Sequence, residues 1–492
     1  MPEEPAQSRD FTLKSRNATT EAVSKAKSEK FLTSARRALA EERYADAVRH
    51  YEKLLRIAPN VPVVLIESAH AFTRSGHFDT ARRLLQRMES ALALHPDFLV
   101  PVATGYFAIG DYQKSRDLLG RRWREGDRSP ETGIALVETA ERMGDWDEAD
   151  RILGALNAND PRANLFRGIL KTRRDDHEAA SELLERSMRE ARDGATLLRA
   201  GLLLAVCRER QGRYREAWER MVETRKSALP ENALATRLDA EDRELTEQVE
   251  HQFAQDEPPA PSSENDPNDP ILLAGHPRSG NSVVAVHLAA RRGLADIDEI
   301  GAFSWALEKG KLAGKTLRQI SVPELTRARK RYFEQMRQML PGELHGQRWL
   351  DKNPGLELFG LHWLAMFPGS EIVLVRRTPL DCMVSCLFTY LPLNSFSLQF
   401  FTPERAARSL HRSLRAQERL LELRAGRVSV VSYESFVKEM KGQSVEVEDQ
   451  EKRPVLHSPN YATARKAVHL RSVARAEHYK EFFPREIIRD FE

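Results

Sequence analysis

Residues 271–282 read Ile271-Leu-Leu-Ala-Gly275-His-Pro-Arg278-Ser-Gly280-Asn281-Ser282. Four apolar residues without polar alternation suit a strand buried on both faces. They run directly into G-x-x-x-x-G-N-S, the outline of a loop that turns backbone amides inward onto an anion. Such a loop needs Gly280 for its turn, and a helix starting near Asn281 adds the positive end of its dipole. Ser282 offers a hydroxyl to a phosphate oxygen. Asn281 stands where nucleoside-triphosphate loops carry lysine, so the cation inside this loop is Arg278. That exchange argues against a kinase or another NTP-dependent transferase, whose chemistry relies on that lysine and a bound Mg²⁺.

A second anion-binding pattern follows about a hundred residues on. Ile372-Val-Leu-Val-Arg-Arg377-Thr-Pro-Leu-Asp381-Cys-Met-Val-Ser385 predicts a strand, two arginines, a Pro turn and a helix. An arginine pair followed by a hydroxyl on the next helix suits a dianionic phosphate. Two such segments in one domain suit a nucleotide with phosphates at both ends of its ribose. Further strands are predicted at Ala295 to Ile297, at Trp349-Leu-Asp-Lys352-Asn-Pro354 and at Arg427 to Val431, and a helix from Leu356 to Phe367 ending at Pro368. Short apolar runs alternating with helical stretches predict a parallel sheet with covering helices.

Pro277-Arg-Ser-Gly-Asn-Ser282 resembles the loop of sulfotransferases that use 3′-phosphoadenosine 5′-phosphosulfate (PAPS), typically P-R-S-G-T-T. The resemblance implies that Pro277, Arg278, Ser279, Gly280, Asn281 and Ser282 hold the 5′-phosphosulfate. It places Arg377 and Ser385, eight apart as in the family, on the 3′-phosphate. Val430-Val-Ser-Tyr433-Glu-Ser-Phe436 is similar to a segment whose tyrosine lies near the adenosine. Tyr461 to Tyr479 resembles the closing loop, with Arg475 in Ser472-Val-Ala-Arg475-Ala476 reaching for the 3′-phosphate. Two departures are Thr378, where the family usually has Asp, and Ala476, where it has Trp. The resemblance spans residues 270 to 483 and is closest to the branch with protein-tyrosine sulfotransferases and many bacterial repeat-fused enzymes.

Sulfuryl transfer needs an in-line acceptor, a base for its hydroxyl proton and positive charge on the leaving oxygen. Arg278 and Lys352 are the candidate cations. Related enzymes carry a glutamate after the first helix, which makes Glu299 the candidate base; the alternative is a surface acid beside Asp296 and Asp298. His276 and His287 are weaker rivals. No His/Cys/Asp set stands at ligand spacing, so no metal is expected. The competing reading is a repeat scaffold whose transferase domain is degenerate and does not turn over.

Upstream, aromatics recur at Tyr44, Phe78, Tyr112 and Trp146, each 34 residues apart, and Tyr214 lies 68 beyond Trp146. Ala or Ser follows three residues later at Ala47, Ala81, Ser115, Ala149 and Ala217, and turns such as Ser75-Gly-His and Met143-Gly-Asp precede. The missing unit falls near His177 and Ala180, out of phase. Glycine ends one helix where positive φ costs it little, and the small residue lets two helices approach. This 34-residue helix–turn–helix period resembles the tetratricopeptide repeat, a peptide- or protein-binding array.

The expected fold is therefore α plus α/β: an all-α tetratricopeptide repeat solenoid and a P-loop-type parallel-sheet sulfotransferase domain. Expected boundaries are a polar extension over 1–31, the array with a capping helix over 32–250, a Pro-rich linker over 251–270 and the transferase over 271–492. A net charge of +3 over 492 residues gives no reason to expect nucleic acid as partner. Three cysteines, Cys207, Cys382 and Cys386, and a start without signal-peptide pattern fit a reducing, cytoplasmic setting with no membrane span. Asn17-Ala-Thr19 is a formal glycosylation sequon read as chance. The expected partners are a protein or peptide on the array and a hydroxyl-bearing acceptor whose identity the residues do not reveal.

Overall fold

A computed structural model describes residues 27–229, 233–253, 266–340, 342–391, 394–424, 426–441 and 470–491. The sequon at Asn17, most of the polar extension and of the Pro-rich linker, and residues 461–469 of the expected closing loop lie outside the described residues. The chain divides into two compact units, 1–127 and 128–492.

The first unit contains three helix pairs: α1 (27–40) with α2 (Tyr44–Ile57), α3 (Pro62–Arg74) with α4 (Phe78–Ser90), and α5 (Leu99–Ala108) with α6 (Tyr112–Arg124). The second unit opens with three more: α7 (Pro130–Met143) with α8 (Trp146–Gly154), α9 (Pro161–Arg173) with α10 (His177–Glu190), and α11 (Gly194–Arg210) with α12 (Tyr214–Ala228). Every periodic aromatic is the first residue of a second helix. Two residues before it the backbone turns left-handed: Glu42 (φ 53°), Gly76 (77°), Gly110 (81°), Gly144 (85°), Asp175 (59°) and Gly212 (76°). The out-of-phase unit uses the same turn three residues early, with Asp175 in the glycine position and His177 in the aromatic one. Aspartate tolerates this conformation better than most side chains, which is why the turn survives. The small residue three further on has no exposed surface in any of the six pairs: Ala47, Ala81, Ser115, Ala149, Ala180 and Ala217 are all 0% exposed.

After the repeats comes α13 (Ala233–Phe253). It was expected to cap the array, but its buried residues Val249 and Phe253 join the core beneath the transferase sheet. Arg405 and Arg412 of a later helix pair with its Asp239 and Asp242.

Five parallel strands then form a sheet in the order β2-β3-β1-β4-β5: β1 (Ile271–Ala274), β2 (Ala295–Asp298), β3 (Trp349–Lys352), β4 (Ile372–Arg376) and β5 (Val428–Ser432). Alternate residues of β1 and β4 feed opposite layers. Leu272, Ala274, Ile372 and Leu374 face one core with α15 (Ala302–Gly310), α16 (Val322–Met339) and α17 (Gly360–Met366). Ile271, Leu273, Val373 and Val375 face the other with α14 (Asn281–Arg292). Between Leu356 and Phe367 the expected single helix is a 3-10 turn, Leu356–Phe359, leading into α17. The remaining helices are α18 (Pro379–Phe388), α19 (Ser395–Leu398), α20 (Pro403–Arg424), α21 (Tyr433–Glu439) and α22 (Arg485–Phe491). A third apolar cluster joins Leu202, Ala217 and Trp218 of α11 and α12 to Leu380, Met383 and Leu387 of α18. The chain enters β2 on one side of β1 and β4 on the other, so the loop after β1 opens at the switch point of the sheet, where α/β proteins bind ligands.

Candidate active site

The loop after β1 turns on Gly275 (φ 150°), Arg278 (72°) and Gly280 (102°) before α14 starts at Asn281. A Cβ on Gly280 would lie 2.1 Å from the Tyr433 ring, so only glycine fits there. The Asn281 amide spans the loop, its Nδ2 donating to His276 O at 3.2 Å. Glu357 supports it from below, accepting from Gly275 N at 3.1 Å and from Ser413 Oγ. Glu357 is fully buried, and burial raises its pKa. No local pattern marks Glu357 in the sequence, because its partners are 82 and 56 residues away.

Lys352 ends β3 with 1% of its surface exposed. Its Nζ donates to Ser282 Oγ at 3.0 Å and to Glu299 Oε1 at 2.9 Å, and pairs with Asp298. The parallel register places Asp298 opposite Lys352, and Glu299 N donates to Lys352 O at 2.9 Å. Glu299 is therefore no surface acid: a left-handed backbone (φ 54°) swings its carboxylate back onto the lysine. Asp298, weighed only as a neighbouring surface acid, is itself buried at 3%. Burial raises the pKa of Glu299, the adjacent Asp298 charge pushes the same way, and Lys352 opposes both. Burial lowers that of Lys352, but the two carboxylates outweigh it and hold it above the ordinary lysine value.

The second cluster lies across the loop. Arg278 Nε donates to Ser385 Oγ at 3.0 Å, and Arg377 donates to Arg278 O at 3.0 Å and to Ser472 O. Arg377 also lies 5.1 Å over the Tyr433 ring, whose hydroxyl meets Ser472 Oγ at 2.7 Å. Burial pushes Arg278 below the usual arginine value, and the like charges of Arg377 and Arg475 add to this. Asp381 accepts from Ala474 N at 2.8 Å and Ala476 N at 2.7 Å, clamping the closing segment. Thr378, exposed, donates through N and Oγ to Glu434 at 2.9 Å each, so the departure from Asp gives that carboxylate a donor instead of a repelling charge.

The structure thus gathers Arg278, Ser282, Glu299 and Lys352 with the loop residues Pro277, Ser279, Gly280 and Asn281, and sets Arg377, Ser385 and Tyr433 beside them. Arg475 is near enough to act on Arg278 as a like charge, and it takes its partner from the repeats. Its Nε and one terminal nitrogen fork onto Glu209 of α11 at 2.6 and 2.5 Å. His276 is buried with its pKa pushed down to about 4, its ring against Pro277 O and Ser409, and His287 is buried edge-on to Phe436. Neither histidine sits in the acid–lysine cluster.

Of the six described non-glycine residues with positive φ, three (Arg278, Glu299 and Ala474) belong to this site, the kind of local strain that functional sites retain. Ser279 Oγ, Asn281 Oδ1 and Arg377 Nε are buried without a hydrogen-bond partner among the described residues. Buried polar atoms of this kind are met in native proteins by water, an ion or a ligand. Ser279 Oγ and Arg377 Nε are donors, and with Arg278 beside them they fit phosphate groups of a nucleotide, while Asn281 Oδ1 can only accept. Among the described residues no group of three or more His, Cys, Asp or Glu side chains could hold a metal.

Residues 270–450 match the model of the Sulfotransferase family, and residues 38–98 match that of the tetratricopeptide repeat. The chain carries a sulfotransferase-family domain behind a tetratricopeptide repeat region. No curated protein matches it. Among solved structures, the TPR domain of P58(IPK) aligns over 81% of this chain and 97% of its own at 13% identity and a TM-score of 0.20, too slight a likeness to bear on the fold.

Proposed function

We propose that the transferase domain, residues 271–492, moves a sulfuryl group from PAPS to a hydroxyl acceptor, and that the repeat array recruits a protein partner or peptide substrate. The observation that carries this reading is the convergence of three cations on one phosphate loop: Lys352, bonded to Ser282, and Arg278 with Arg377, beside Ser385. Lys352 and Arg278 suit the phosphosulfate end of the nucleotide, and Arg377 with Ser385 suits the 3′-phosphate.

PAPS, when bound, supplies the sulfuryl group and a phosphate oxygen as leaving group. Glu299 takes the acceptor's hydroxyl proton on its carboxylate, and burial makes it a stronger base than an exposed glutamate. Lys352 loses one counter-ion when Glu299 is protonated but keeps Asp298, so it stays charged in a buried place. Lys352 and Arg278 present positive charge, preorganised by Ser282, Ser385 and the loop, to developing negative charge on the leaving oxygen. Arginine and lysine suffice for that role, and no metal is assigned. A peptide acceptor, as in the protein-tyrosine branch, belongs to the same proposal. So does a cytoplasmic location, which suits the three buried free cysteines. No helix among the described residues is long and apolar enough to cross a membrane.

Calorimetric titration with 3′-phosphoadenosine 5′-phosphate, with ATP as control, tests the reading on the full chain and on Arg377→Ala. Tight binding of the bisphosphate over ATP, lost in the variant, is expected. Absence of binding to folded wild-type protein would overturn the assignment and leave a repeat scaffold with a degenerate domain.

A further inference from the structure

The last repeat pair does more than end the array. Arg225 of α12 is 1% exposed and donates to three carbonyls at the end of α18: Leu387 O at 2.7 Å, Thr389 O at 2.9 Å and Cys386 O at 3.0 Å. A buried cation on the last carbonyls of a helix satisfies otherwise unpaired acceptors and opposes the negative end of its dipole. The cost of burial shows in its pKa, lowered to about 10. The helix so held carries Ser385 and Asp381. Asp381 in turn grips the amides of Ala474 and Ala476, on either side of Arg475. Arg475 closes the ring by forking onto Glu209 of α11, the two side chains 16% and 10% exposed.

Arg475 lies three residues beyond Ser472, whose carbonyl Arg377 holds, and its charge joins that of Arg377 in depressing the pKa of Arg278. Three arginines converge only if something offsets their repulsion, and Glu209 is the carboxylate that does so for Arg475. A bidentate fork also fixes the plane of the guanidinium, which a single contact does not.

We propose that the hairpin α11–α12 is a positioning element of the nucleotide site, and that Glu209, acting through Arg475, sets its selectivity for a nucleotide bearing a 3′-phosphate. This rests on the nucleotide reading given above. It makes the last repeat part of the site, so that whatever displaces the hairpin alters nucleotide affinity, and nucleotide binding reciprocally stiffens the hairpin.

The test measures dissociation constants of 3′-phosphoadenosine 5′-phosphate and adenosine 5′-monophosphate for the full chain, Glu209→Ala, Glu209→Asp, Arg475→Gln and the double variant Glu209→Ala/Arg475→Gln. Glu209→Ala is expected to weaken the bisphosphate roughly tenfold or more, as loss of one charge-assisted contact does. The monophosphate stays within about twofold, Glu209→Asp recovers part of the loss, and Glu209→Ala adds nothing once Arg475 is gone. Equal weakening of both nucleotides, unchanged or tighter bisphosphate binding, or additive losses in the double variant would each overturn the proposal. A wild-type protein that does not prefer the bisphosphate refutes instead the nucleotide reading on which it stands.

Discussion

Lys352 is a lysine inside a protein, flanked by two carboxylates and a serine hydroxyl. Such a group stays charged only while a counter-ion stays with it. Two carboxylates for one lysine leave one in surplus, and the surplus one, Glu299, is the more exposed. Glu299→Gln is therefore expected to lower kcat by about 10²- to 10⁴-fold, the range of a lost general base, with nucleotide affinity unchanged. The base works ionised, and its pKa is raised above 4.5, so activity is lost as pH falls through that raised value. The Asp298 charge helps raise it, so Asp298→Asn should move the acid limb of the kcat profile to lower pH. A limb that stays or moves up would count against this coupling.

Beside this trio, Asp351 is fully buried under Tyr332, whose hydroxyl donates to it at 2.9 Å, and its pKa is pushed up to about 7 by burial. The folded state then holds the proton more tightly than the unfolded chain. Its stabilising share is whole below the ordinary value of 3.8 and is lost as pH rises through about 7. The melting temperature of the wild type should therefore fall relative to Asp351→Asn as pH rises from about 4 to about 7, and the difference should level off above that.

At the scale of elements, the repeat turns differ in one residue. Four of the six use glycine in the left-handed position, and Glu42 and Asp175 do not. A non-glycine residue there costs about 1–2 kcal/mol, less for aspartate, which bonds locally. Glu42→Gly should thus stabilise the first unit by up to about 1 kcal/mol once glycine's own entropy is counted, and Asp175→Gly the second by less. Differential scanning calorimetry reads both. The phosphate loop has the opposite demand. Gly280→Ala pushes a Cβ into Tyr433 and strains φ 102°, so nucleotide binding should be lost with the repeat helices still folded by circular dichroism.

At the scale of the molecule, the transferase borrows from what precedes it. Val249 and Phe253 belong to the core on one face of the sheet, and Trp218 and Met221 to the cluster around α18. Phe253→Ala should destabilise the second unit by about 3–5 kcal/mol, the range for a buried phenylalanine. A fragment starting at residue 266 forfeits all these contacts together with Arg225. It should aggregate or melt well below a fragment starting at 128, the first residue of the second unit. Equal stability of the two fragments would refute the borrowing.

Sequence alone determined what depends on neighbours in the chain. The 34-residue period, the buried runs of β1 and β4, the phosphate loop and the Arg377–Ser385 spacing are local patterns, legible because strands, helices and tight turns are set within a few residues. One repeat escaped in part because Asp175 stands in the glycine position and the unit comes three residues early. Tertiary structure decided which charges meet. The family resemblance singles out Glu299, but its partner is unreadable until the β2–β3 register sets it on Lys352, and Glu357 shows no pattern until the fold brings it to Gly275. Glu209 and Arg475 are 266 residues apart. Only packing joined them, because ion pairs are made by distance in space and leave no period in the chain.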